Sequence, residues 1–139
     1  MTYTKQALAA LAAGLALTAP ATASAASSKA ASAGDWVLVS TSTDGKSKDS
    51  VDRSSMVRTG PVVRFKQRSD YIDDPSHWAN AMVDVEINCD AHSMRPLAIM
   101  ITLDDGTQKS ETGAGNFLTI NPNTVGEDVM KFVCGKSAG

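Results

Sequence analysis

The sequence predicts an α+β domain: a single antiparallel β-sheet of about six strands, covered on one face by a C-terminal α-helix. Three observations predict it. Alternating apolar and polar residues recur between turn signals from Trp36 to Thr112, one segment near the C-terminus carries apolar residues at helical spacing, and the only two cysteines fall one in each kind of segment.

Ahead of the domain, residues 1–25 read as a secretory signal peptide. Lys5 supplies a positive start, Gln6 to Thr18 is an uncharged Ala/Leu-rich stretch, and Ala23-Ser24-Ala25 fits the small-x-small cleavage rule. Ala21-Thr22-Ala23 fits nearly as well, so the cut after Ala25 is placed to within about two residues. The apolar run is too short to cross about 30 Å of hydrocarbon, and no Cys follows the cut to take a lipid. The mature chain is therefore expected to be exported, periplasmic or at the cell surface, with no stable membrane insertion. Residues 26–33 read as a flexible Ala/Ser-rich tether, 34–135 as one domain and 136–139 as a flexible tail.

The whole chain of 139 residues has 13 basic and 15 acidic side chains, a net charge of −2 that becomes −3 when Lys5 leaves. A mildly acidic chain offers no field to hold a nucleic acid. Hydrophobic residues at 42% and charged residues at 20% are ordinary for a globular domain and exclude wholesale disorder. In an exported protein an even pair of cysteines reads as a disulfide, so Cys89 and Cys134 are expected to be bridged, which the chain-entropy relation values at about 4 kcal/mol.

The strands follow in order. Trp36–Thr41 is β-rich, Thr43-Asp44-Gly45 is a turn, and Ser47–Asp52 pairs back as a hairpin arm. Ser54–Val57 is expected to form a short helical turn, and Thr59-Gly60-Pro61 a second turn into Val62–Ser69. There Val63 and Phe65 alternate with Arg64, Lys66 and Arg68, so one face is apolar and the other basic. In Met82–Cys89, Val83, Val85, Ile87 and Cys89 alternate with Asp84, Glu86 and Asn88. Pairing the two strands across a loop Asp70–Ala79 sets Lys66 near Asp84 and Arg64 near Glu86, a cross-strand charge ladder on the outer face. Parity puts Cys89 on the buried side, so its partner must cover that side. Beyond a turn at Asp90–Ser93, Arg95–Leu103 carries Leu97, Ile99, Ile101 and Leu103 at period two. Asp104-Asp105-Gly106 turns this into a polar edge strand, Thr107–Thr112. Ala114–Ile120 is irregular, with Asn116-Phe117 a surface loop.

Thr124–Cys134 is the helix. Thr124 and Glu127 form a capping box, Asp128 suits the positive end of the dipole and Lys131 the negative end, and Gly135 stands at C′. Val125, Val129, Phe132 and Val133 share a face that packs on the sheet and carries Cys134 towards Cys89.

No constellation for catalysis is evident, and an enzyme is not expected. The motifs of common hydrolase, nucleotide, zinc and redox sites are absent, and Asp44-Gly45 lacks the flanking residues of a calcium loop. His77 and His92 are too isolated for a metal site, so no metal and no cofactor is expected. An enzyme would need His77 converging with Asp73 or Asp74. Met82, Met94 and Met100 read as gap-fillers rather than copper ligands. Two candidate binding surfaces remain. One is the loop with Tyr71, Asp73, Asp74, His77 and Trp78, whose aromatics are common contact anchors. The other is the outer face with Arg64, Lys66, Arg68, Asp84 and Glu86.

The ordered features are similar to those of the surface-adhesin protein E family. They comprise Trp36-Val37-Leu38-Val39, Asp52-Arg53-Ser54-Ser55-Met56, Gly60 before a V-x-[WF] strand, Ile87-Asn88-Cys89 with Arg95 six residues later, Asp105-Gly106, and Pro122 through Val125-Gly126 to Phe132-Val133-Cys134. The resemblance covers Trp36 to Gly135 and departs at Phe65, where the family often has Trp. It implies the sheet, the helix and the Cys89–Cys134 bridge, with Trp36, Asp52, Gly60, Arg95 and Gly106 in structural roles. Arg95 would fix the hairpin after Cys89 through carbonyl or carboxylate contacts. The resemblance further implies a homodimer as one state, and a host matrix or serum protein such as vitronectin or laminin as partner. The leading expectation is an exported, non-enzymatic domain that binds a host or envelope protein. The alternative is a periplasmic carrier or sensor holding a small ligand between sheet and helix.

Overall fold

The computed structural model describes residues 33–135; the signal peptide, nearly all of the tether and the tail lie outside the described residues. Six strands run as an antiparallel meander: β1 (Trp36–Thr41), β2 (Ser47–Thr59), β3 (Val62–Tyr71), β4 (Trp78–Asn88), β5 (Ser93–Leu103) and β6 (Gln108–Thr112). A two-residue β7 (Leu118–Thr119) pairs with Ser93 and Met94 of β5. The helix α1 spans Val125–Cys134. This is the α+β architecture that alternation and capping predict, with β7 added to a segment that reads as irregular.

Alternation builds the core. Val51, Val63, Phe65, Val85 and Ile87 point to one face and meet Val129 and Val133 of α1, none of them more than 2% exposed. Burying each such side chain contributes about 1.5–3 kcal/mol. Phe132, Val125 and Met130 close the rim of the cluster. Cys89 and Cys134 join across it, with Cα atoms 5.8 Å apart, and the Cys89 N–H donates to the Pro61 carbonyl.

The helix starts as predicted, with a variation. Thr124 Oγ1 accepts from Glu127 N at 3.4 Å, but the Glu127 carboxylate reaches Asn123 N at 2.8 Å rather than the cap residue itself. That bond, with Lys131 one turn on at 3.1 Å, holds the Glu127 carboxyl below its usual range. The C-terminal end is held by a residue the sequence pattern does not single out. Arg58 stands opposite Val63, on the helix side of β2, and its Nη2 donates to the carbonyls of Val133 and Cys134 at 3.2 and 3.3 Å. A cation there meets the negative end of the helix dipole.

Three expectations change. Ser54–Val57 is not a helical turn. It belongs to β2, where the register breaks between Asp52 and Val57: Asp52 faces Lys66 and Val57 faces Arg64, so four residues bulge opposite Phe65 alone. The loop between β3 and β4 is shorter than Asp70–Ala79, because pairing continues to Tyr71 and resumes at Trp78. In β5 the period-two run is interrupted, since Val85 faces Pro96 and Asp84 faces Ala98; Leu97 falls in the irregularity and the parity changes there.

Candidate functional site

The outer face of the sheet is built by register. Lys66 faces Asp84 and Arg64 faces Glu86, as predicted from alternation. Their charges pair differently from their backbones. Lys66 Nζ lies 2.7 Å from Asp84 Oδ1, whereas Arg64 comes no nearer to Asp84 than 4.0 Å. Glu86 is taken by β5: Arg95 Nε and Nη2 both bond Glu86 Oε2 at 2.8 Å. Arg68 pairs with Asp70 on its own strand at 2.7 Å. The ladder thus leaves Arg64 as the cation without a close carboxylate.

Beside Arg64 the face is not purely charged. The guanidinium carbon of Arg95 stands 4.5 Å from the Phe117 ring centroid. Phe117 and Val57 are exposed at 41% and 60%. These residues line an open groove of about 550 Å³ together with Thr59, Val62, Arg64, Glu86 and Asn88. Phe117, Val57 and the part played by Arg58 are not singled out as functional by sequence reasoning. Only the placing of Asn116-Phe117 in a surface loop hints at the first.

The second candidate surface is at the other end of the sheet. Tyr71 and Trp78 close the β3–β4 hairpin and pack edge to face, with ring centroids 5.9 Å apart. Burial raises the Tyr71 hydroxyl above its ordinary pKa, and the carboxylates of Asp49 and Asp74 add to the effect against a Ser69 hydrogen bond. The polar loop residues do not converge on one another. Asp74 Oδ1 caps the Ser76 N–H, and exposed His77 stands 3.5 Å from Asp104 Oδ2 in the β5–β6 turn. Below the hairpin the inner face turns polar after Phe65: Asp49, 5% exposed, accepts from Gln67 Nε2 at 3.1 Å and from the Ser69 hydroxyl.

The bulge gathers the segment Asp52–Met56 into a hub. Asp52 Oδ1 accepts from Asp35 N, Ser54 N and the Ser54 hydroxyl, at 2.9, 3.0 and 2.5 Å. Those donors, the Ser54 hydroxyl foremost, hold its carboxyl below the ordinary range. Ser55 donates to the Asp52 carbonyl and accepts from Lys66 N, while Met56 packs against the core. Trp36 stands opposite Asp52 in the β1–β2 register. Gly60 turns the β2–β3 hairpin at φ +59° and Gly106 the β5–β6 hairpin at φ +85°.

The opening strand with Trp36, the Asp52 hub, the hairpin glycines and the bridged terminal helix all lie within one family match. The model of the surface-adhesin protein E family matches residues 36–135. The chain belongs to that family. Its fold is similar to that of Haemophilus influenzae protein E in crystal form II, with a TM-score of 0.52 over 71% of this chain and 86% of that one, at 11% sequence identity. No curated protein matches the sequence. Surface-adhesin membership gives the general class, and among the described residues no helix is long and apolar enough to cross a membrane.

Proposed function

We propose that this surface-adhesin-family chain is an exported, non-enzymatic domain that contacts a host matrix or envelope protein. The family match over residues 36–135 carries the reading. Two surfaces are the candidates for contact: the outer face around Arg64, Lys66 and Phe117, and the β3–β4 hairpin end, where Ile72 is 51% exposed beside the Tyr71–Trp78 pair. A homodimer is a further state to be tested by sedimentation. The rival reading, a carrier with a small ligand between sheet and helix, has less support, because that space is filled by Val51, Val63, Phe65, Val85, Val129 and Val133.

The test is retention of the purified protein on immobilised vitronectin, laminin and envelope extract. Retention by one of them, reduced by substitution at Arg64 or Ile72, is expected. Failure of all three removes the adhesive reading.

A further inference from the structure

We propose that the groove crossing the outer face docks an acidic, extended segment of a partner protein, with a carboxylate on Arg64 and adjoining apolar side chains against Val57 at one end and Phe117 at the other. This rests on the binding-domain reading and specifies the chemistry of what is bound.

Charge sets the first requirement. Arg64 is the underpaired cation of the ladder: its 4.0 Å neighbour Asp84 already holds Lys66 at 2.7 Å, and its register partner Glu86 is held by Arg95. Within the groove Arg64 and Arg95 oppose Glu86, an excess of one positive charge. The neighbouring Lys66 and Arg68 are both engaged with carboxylates. A polyanion such as a sulfated polysaccharide or nucleic acid gains affinity from several free cations, and among the described residues lining this groove Arg64 is the one cation without a close carboxylate. A single carboxylate suits it, and Arg presents a fork that matches carboxylate geometry.

Shape sets the second. The groove runs over β2, β3, β4 and β5, three inter-strand spacings or about 14 Å, the reach of about four extended residues. Val57 faces Arg64 in the register, Phe117 lines the groove at its Arg95 end, and the Arg95 stack holds Phe117 in place before anything binds. A preset aromatic lowers the ordering cost of association.

The probes are a blocked peptide Gly-Glu-Leu-Glu-Phe, its Gln counterpart Gly-Gln-Leu-Gln-Phe, and a heparin octasaccharide. Each is titrated into isotope-labelled protein recovered from periplasmic expression and followed by NMR. Saturable shifts at the Arg64 side chain, Val57 and Phe117 with the Glu peptide are expected, with binding at least tenfold weaker for the Gln peptide. Arg64→Gln should abolish that preference, Arg64→Lys should keep part of it, and Arg68→Gln should leave it intact. The proposal falls if the two peptides bind equally, if the preference survives Arg64→Gln, or if the Glu peptide shifts nothing at Arg64. It also falls if heparin perturbs Arg64, Lys66 and Arg68 together more strongly than the peptide does. The outcomes separate from those of the parent reading. Equal retention of wild type and Arg64→Gln on an immobilised partner removes the groove and leaves the binding domain, while peptide preference with no retained partner leaves the groove and removes adhesion to those proteins.

Discussion

Arg58 donates from Nη2 to the carbonyl oxygen of Cys134 at 3.3 Å, so the last helical residue is fastened by a cation as well as through its sulfur. Because α1 is only 10 residues long, its own propensity cannot hold it in water, and tertiary fastening decides whether it stays docked. Arg58→Met keeps most of the apolar stem and removes the charge and donors. It should cost about 0.5–1.5 kcal/mol in urea unfolding, with faster amide exchange at the end of α1.

Breaking the disulfide should cost more. Cys89 and Cys134 are 45 residues apart, and the chain-entropy relation gives about 4 kcal/mol for such a loop. The double variant Cys89→Ser/Cys134→Ser should therefore lose about 2–4 kcal/mol. Near-native stability in the double variant would show that core packing alone docks the helix.

Asp52 makes the protein acid-sensitive in a defined direction. The Ser54 hydroxyl above all holds its carboxyl below the ordinary aspartate range, so the folded state binds the proton less readily than the unfolded chain. The stabilisation is complete above the unfolded value and is lost as pH falls through the lower folded one. Asp52→Asn should lose about 1–2 kcal/mol near neutrality. Its deficit against wild type should narrow as pH falls below the ordinary aspartate pKa of about 3.9, read by chemical unfolding at each pH.

Arg95 is expected to act on stability before binding. Its pair with Glu86 is half-buried, at 31% and 19% side-chain exposure, whereas the Arg68–Asp70 pair is open at 45% and 42%. Arg95→Ala strands Glu86 in a partly desolvated place and removes the stack on Phe117. It should lower stability by about 1–2 kcal/mol, against less than about 0.5 kcal/mol for Arg68→Ala. Equal melting temperatures for the two variants would contradict this ranking.

The strand register was legible because period two leaves one choice: Val63 and Phe65 must face inwards, which places Lys66 against Asp84 and Arg64 against Glu86. The distribution of the ion pairs was not, because it depends on a third strand. Arg95 competes for Glu86 across β4, and reasoning about two strands omits it. Ser54–Val57 misled for a local reason. Ser-Ser after Asp reads as a turn that bonds its own backbone, and it does so here, but within a bulge that keeps β2 running to Thr59. Arg58 was hidden by its own chemistry, since a cation at an inward position breaks the alternation that finds core residues. The groove was hidden because Val57, Arg64, Arg95 and Phe117 come from four separate segments.

Gly34 offers the sharpest steric test of the Asp52 hub. A Cβ built on it would lie 2.6 Å from Asp52 Oδ2 and 2.8 Å from Trp36 Nε1, closer than real side chains approach. Asp52 cannot swing aside cheaply, because Oδ1 of the same carboxylate is held by Asp35 N, Ser54 N and the Ser54 hydroxyl. Gly34→Ala should therefore cost about 1–3 kcal/mol, the usual range for overpacking. If the clash with the carboxylate is the cause, the same change in an Asp52→Ala background should cost less than half as much, since only the Trp36 indole still crowds it. A double-mutant cycle of unfolding free energies measures that coupling. Strict additivity would mean that Gly34 and Asp52 act independently, and that the hub does not extend to the chain entering β1.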